Sequence, residues 1–156
     1  MNIVIARRAT CADIPPLVAL MQEFYAEAAI PLDPAWATQA FASLLEDPRR
    51  GAAWLLERDG APVGHVVLSL RFAMEFGGLL GYVDDLFVRP AARRSGAAAA
   101  GLAALIAECR RLGCRALEVE VGADNAGAQA LYSRIGMRAM NDGREMLRMV
   151  FDSPPT

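Results

Sequence analysis

Residues Leu79–Val121 read LLGYVDDLFVRPAARRSGAAAAGLAALIAECRRLGCRALEVEV. Leu79–Val88 is rich in β-branched and aromatic residues and is stopped by Pro90, which reads as a strand. From Ser95 to Leu112, Leu102, Leu105, Ile106, Cys109 and Leu112 recur at helical spacing and mark one buried face. Ala116–Val121 is strand-like again. A strand, a helix and a second strand joined in this way form a right-handed crossover, which makes the two strands parallel. This unit fixes the class as α/β, with helices on the faces of a mixed sheet.

The flanking sequence extends the pattern. Asn2–Ala6 reads as a strand. Thr10, with Asp13 in capping-box spacing, opens a helix whose stripe is Ile14, Leu17, Val18, Met21 and Tyr25. Asp33-Pro34 opens a second helix, striped by Trp36, Ala40, Phe41, Leu44 and Leu45 and ended by Asp47-Pro48. Ala52–Arg58 and Pro62–Phe72 flank Asp59-Gly60, a strong hairpin signal. Asn125–Ile135 reads as a short helix. Met137–Met140 and Met146–Phe151 read as a closing hairpin around Asn141-Asp142-Gly143. The expected order is β-αα-βββ-α-β-α-ββ, a mixed central sheet in a single domain over residues 1–152, with 153–156 as a frayed tail.

Composition narrows the function. All 16 cationic side chains are arginine, against 18 acidic ones, for a net charge of −2. The arginine pairs are scattered, so nucleic acid is not an expected partner. A lone histidine, His65, excludes most histidine-based catalysis and zinc binding, and no metal is expected. Cys11, Cys109 and Cys114 form no disulfide framework, which suits a reducing cytoplasm. The longest apolar run, Ala97–Ala107, is well short of the ~20 residues that span a bilayer. The opening MNIVIARRAT has the wrong order for a signal peptide.

Two stretches carry chemistry. In Arg93-Arg94-Ser95-Gly96-Ala97-Ala98, small residues at a helix start let backbone N–H groups converge on an anion, and the arginines add phosphate contacts. The same residues also read as a capped, solvated alanine helix. In Asn125–Met137, Ala128, Leu131, Tyr132 and Ile135 share a helix face; Asn125 reads equally as a cap and Tyr132 as a core aromatic. Asp84 and Asp85 are adjacent on a strand, so alternation would place only one of them in a given cleft. Glu23, Tyr25, Glu27, Asp33 and Glu75, with Phe24, Trp36 and Phe76, suit a cationic amine, although Glu23 and Glu27 also read as a solvated helix face.

Taken together, Val88-x-Pro90-x-x-Arg93-x-x-Gly96-x-Ala98 and Asn125 with Leu131-Tyr132-x-x-x-Gly136-Met137 resemble the GNAT superfamily of acetyl-CoA-dependent N-acetyltransferases. Arg8-Ala9-Thr10-x-x-Asp13-Ile14-x-x-Leu17 is similar to its first strand–helix junction. Ala98 stands where glycine is commoner, Met137 replaces phenylalanine, and Gly101 interrupts a helix at a cost of about 1 kcal/mol unless something packs closely there. Tyr82-Val83-Asp84-Asp85-Leu86-Phe87-Val88 further resembles the diamine (spermidine/spermine) acetyltransferase branch. Asp84 then falls on the position of its catalytic glutamate, one methylene shorter.

The resemblance implies an acyl-CoA N-acyltransferase fold, with acetyl-CoA as co-substrate and direct transfer to a small cationic amine. Arg93, Arg94, Ser95, Gly96, Ala97, Ala98 and Asn125 would hold acetyl-CoA, with the Leu86, Phe87 and Val88 backbone along its pantetheine arm. Asp84 or Asp85 would accept the amine proton, and Tyr132 would serve as the acid for the departing thiolate. A peptide or protein amine acceptor, or a silent acyl-CoA-binding sensor module, is the alternative. A homodimer joined through Met146–Phe151 is expected.

Overall fold

The computed structural model of the protein describes residues 3–155. Asn2 of the expected first strand and Thr156 of the tail lie outside the described residues. The chain divides into two compact units. One runs through Val119 and takes in Pro155; the other is Glu120–Pro154.

The first unit contains β1 (Val4–Arg8), α1 (Ile14–Glu27), α2 (Pro34–Glu46), β2 (Gly51–Arg58), β3 (Ala61–Ala73), β4 (Gly78–Val88), α3 (Ala97–Arg111) and β5 (Ala116–Glu118). Short 3-10 turns, Cys11–Asp13 and Pro90–Ala92, lead into α1 and toward α3. The sheet runs β1-β2-β3-β4-β5. Its first four strands are antiparallel neighbours, and β5 joins β4 in parallel, as the crossover requires.

Local chemistry sets the boundaries. The Asp13 carboxylate accepts the Thr10 N–H at 2.8 Å, and Asp33 caps α2 by accepting the Ala35 N–H at 2.9 Å. Asp59 and Gly60 both take positive φ, 53° and 76°, the geometry that keeps a two-residue hairpin in step with twisted strands.

Alternation along the strands builds two cores. Leu17, Leu20 and Phe41 of α1 and α2 pack on Leu55, Val67 and Phe87. Leu56, Val63 and Val88 point the other way, against Ala97 of α3. The helix glycine finds its reason here. A Cβ on Gly101 would sit 2.9 Å from Leu56 Cδ2 and 3.3 Å from Val66 Cγ1, so glycine lets α3 lie close on the sheet.

The second unit holds α4 (Ala126–Arg134). Asn125 caps it, its side chain accepting the Ala128 N–H at 3.1 Å. Gln129 Nε2 donates back to the carbonyls of Gly122 and Ala123 at 3.0 and 3.1 Å. The expected closing hairpin is not formed: neither Met137–Met140 nor Met146–Phe151 is a strand, and β5 ends at Glu118 rather than Val121. A lone two-stranded hairpin is marginal without a further strand or helix to cover its apolar face. Met146, Leu147, Met149, Val150 and Phe151 are accordingly exposed.

Candidate active site

The register between β3 and β4 creates the site. Val67 pairs with Asp85 and Leu68 with Val83, so Asp84 is an extra residue with no partner in the ladder. A bulge of this kind breaks the two-residue alternation. Asp84 and Asp85 therefore line the same cavity, which corrects the expectation that only one could. The cavity holds about 250 Å³. Met21 and Tyr25 of α1, Trp36, Ala40, Phe41 and Leu44 of α2, and Val67 of β3 form its walls.

The two carboxylates have different surroundings. Asp84 is exposed and accepts the Ser69 hydroxyl at 2.7 Å. Asp85 is half-buried, with Oδ2 3.9 Å from Nε2 of the fully buried His65. Neither His65 nitrogen has a hydrogen-bond partner among the described residues; the ring lies among Phe24, Phe41 and Phe87. Burial, then the charges of Asp85 and Asp84, push the Tyr25 phenol up to about 12. It remains protonated at neutral pH. Ser69 carried no sequence signal, since its role depends on a register that pairs it with Tyr82 and brings it to Asp84.

Of the expected substrate residues, Tyr25 and Trp36 line the cavity. Glu23 takes Arg89 at 2.8 Å, and Glu27 takes Arg93 at 2.6 Å. These ion pairs clamp α1 to the loop after β4. Glu75 is exposed in the β3–β4 turn, and Asp33 is the cap of α2.

The phosphate-loop candidate lies between the second 3-10 turn and α3. Arg94 and Gly96 have φ of 61° and 82°, and the Ser95 hydroxyl donates to the Ala92 carbonyl. This turns the chain sharply before Ala97. The first N–H groups of α3 have no acceptor within the helix and face outward from its positive end. Nothing lies within 4 Å of where a Gly96 Cβ would be. Arg93 is engaged by Glu27 and by the Val88 carbonyl, to which its Nε donates at 2.9 Å. Arg94 has no ion-pair partner among the described residues and is exposed.

The β4 edge next to this loop is open. The β4–β5 ladder has three pairs and ends at Tyr82 with Glu118. Past that point, among the described residues, Leu86, Phe87 and Val88 pair only with β3, so backbone groups on the other side can receive an extended ligand. In the second unit, Tyr132 is buried on α4, and burial pushes its phenol up to about 12. Among the described residues, no group of three or more His, Cys, Asp or Glu could hold a metal ion.

The sequence matches the acetyltransferase (GNAT) family over residues 17–137, and the chain belongs to that family. An integron cassette protein, HFX_CASS3, from the mobile metagenome of Cole Harbour Salt Marsh is 43% identical. The match covers 96% of this chain and 91% of that one, with a TM-score of 0.85. An acetyltransferase predicted in Clostridium acetobutylicum, solved with acetyl-CoA, shares the fold at 16% identity, TM-score 0.77, over 93% and 96% of the chains. The aminoglycoside N-acetyltransferase AAC(6′)-Iy, solved with CoA, does so at 17% identity, TM-score 0.77, over 98% and 95%. No curated protein matches the sequence. No helix among the described residues is long and apolar enough to cross a membrane.

Proposed function

We propose that the protein transfers the acetyl group of acetyl-CoA to the amine of a small cationic molecule, directly, in a ternary complex. The observation that carries this reading is the bulge-presented pair Asp84 and Asp85 lining a cavity whose other walls are mostly apolar. An alkyl amine with a pKa near that of lysine, about 10.4, reaches the site protonated and cannot attack until it loses a proton. Asp84 is the base in this account. It is open to solvent, so the proton has an exit, and the Ser69 hydroxyl fixes its orientation. Asp85 is the second negative charge that holds the ammonium.

Acetyl-CoA brings the activated thioester. Its pyrophosphate would rest on Ser95, Gly96, Ala97 and Ala98 with Arg94 beside it, while Arg93 positions the loop through Glu27. The acetyl carbonyl and pantetheine would lie along the Leu86–Val88 edge. The amine nitrogen attacks the carbonyl carbon, the C–S bond breaks, and Tyr132, protonated at neutral pH, donates to the departing sulfur. Asn125 supports Tyr132 by capping its helix.

Three free thiols suit a cytoplasmic enzyme, and the exposed Met146–Phe151 segment suits a homodimer in which it pairs with a second copy. Thermal melting with acetyl-CoA, followed by thiol release with an amine panel, tests the reading. A raised melting temperature and amine-dependent thiol are expected. Stabilisation without thiol from any amine or peptide would leave only an acyl-CoA sensor.

A further inference from the structure

We infer that His65 is a positioning residue for Asp85: its Nε2–H donates to the Asp85 carboxylate and fixes the anion that receives the amine, a role that rests on the transferase reading above. As a core residue His65 is a poor choice. It is fully buried, and neither ring nitrogen has a hydrogen-bond partner among the described residues. Phe24, Phe41 and Phe87 surround it, with ring centroids 6.4, 6.4 and 6.3 Å away. Phenylalanine would fill such a nest with no polar atom to desolvate, whereas unpaired imidazole nitrogens are costly there.

The strand register supplies the acceptor. On β3, His65, Val67 and Ser69 are two residues apart and share one face. Val67 pairs with Asp85 and His65 with Phe87, so His65 and Asp85 are diagonal neighbours within reach of a long side chain. Ser69, at the other end of the same stripe, donates its hydroxyl to Asp84 at 2.7 Å. Each acid at the bulge thus faces one potential donor from β3, Ser69 for Asp84 and His65 for Asp85.

The His65 Nε2 to Asp85 Oδ2 separation is 3.9 Å, and closing it to an N–H···O bond takes about 1 Å. Rotation of the carboxylate about its last bond delivers that much. Asp85 directly follows the unpaired Asp84, where the ladder is interrupted, so a side-chain hold has orientation to add. The ring is also a dead end for protons, because its other nitrogen, Nδ1, is buried without a partner. A proton passed to His65 has no route out, in contrast to Asp84, which is open to solvent. His65 therefore orients Asp85 and relays nothing, which leaves Asp85 as the fixed anion and Asp84 as the base.

His65 is the chain's one histidine, so tag-free protein labelled with 15N-histidine reports a single imidazole. The expected spectrum shows the proton on Nε2, exchanging slowly with water. That signal should persist in Asp84→Ala and be lost in Asp85→Ala. A proton on Nδ1, or a signal unchanged in Asp85→Ala, overturns the inference without any need for turnover.

Kinetics test what the hold does, using whichever of butylamine, spermidine and kanamycin releases thiol fastest in the parent. His65→Phe keeps a ring in the nest and removes the donor. It should raise the KM for that amine about tenfold and leave kcat within about threefold. His65→Gln, which retains an N–H donor, should recover most of the loss. An unchanged KM in His65→Phe, or equal losses in both variants at matched melting temperatures, overturns the positioning role. Thiol release from none of the amines, with the Asp85-dependent signal intact, overturns the transferase reading and leaves the His65–Asp85 bond established.

Discussion

Asp84→Asn separates the roles of the two acids. The substitution keeps the shape of the side chain and its contact with Ser69, and leaves the Asp85 charge in the cavity. Binding of the ammonium should therefore change little, and the KM for the amine should stay within about threefold. The proton, however, loses its acceptor. An amine of pKa about 10.4 is neutral in only about one molecule in a thousand at pH 7.4. A variant that must wait for the neutral amine thus has a ceiling on its loss of about 1000-fold. With Asp85 still present as a poorer base, kcat should fall about 100- to 1000-fold. The deficit should shrink about tenfold per pH unit as the medium takes over deprotonation. Initial rates of thiol release between pH 7 and 10, with melting temperatures to confirm folding, give both numbers. A loss under tenfold, or a parallel pH profile, would refute Asp84 as the base. Asp85→Asn then becomes the informative variant.

Other perturbations follow from the same geometry. Tyr132→Phe should lower kcat about 100-fold or more while acetyl-CoA affinity, read by thermal shift, stays near that of the parent; an unchanged kcat removes Tyr132 as the acid. Gly96→Val forces a β-branched residue to φ 82° at the start of α3, so acetyl-CoA should bind at least tenfold more weakly, and unchanged affinity would move the phosphate site elsewhere. The guanidinium of Arg111, then that of Arg8, hold the buried Glu108 carboxyl at about 2, below its ordinary 4.5. Because the folded value is the lower one, this stability is present above pH 4.5 and is lost as pH falls toward 2. Both arginines are partly exposed, so the contribution is about 1–2 kcal/mol. Glu108→Gln should flatten the acid limb of a melting-temperature profile, and an unchanged limb would contradict the pairing.

Much of this was readable from residue order because the signals are local. The α1 and α2 stripes, the Asp33 cap and the Asp59-Gly60 turn each depend on neighbours within a few positions. The crossover through α3 follows from chain connectivity alone. What escaped depends on pairing between distant residues. The bulge at Asp84 exists only relative to β3, and without it strand alternation separates two acids that the fold places together. Glu23 and Glu27 looked available for substrate because their arginine partners lie 66 residues away. Ser69 and the half-burial of Asp85 beside His65 are hidden for the same reason. The hairpin expected over Met137–Phe151 failed in the opposite sense. Its local signals are sound, but a strand pair needs a sheet face to rest on, and turn chemistry does not supply one.

Direct acetyl transfer from acetyl-CoA to an amine requires that no acetyl group is ever held on the protein. Rapid-mixing measurement of thiol release at protein concentrations comparable to acetyl-CoA tests it most directly, with intact-protein mass recorded in parallel. Without amine, no thiol and an unmodified chain are expected; with an accepted amine from the panel, one thiol is released for each N-acetylated amine. A thiol burst before amine is added, with an acetylated cysteine in the mass spectrum, would contradict it.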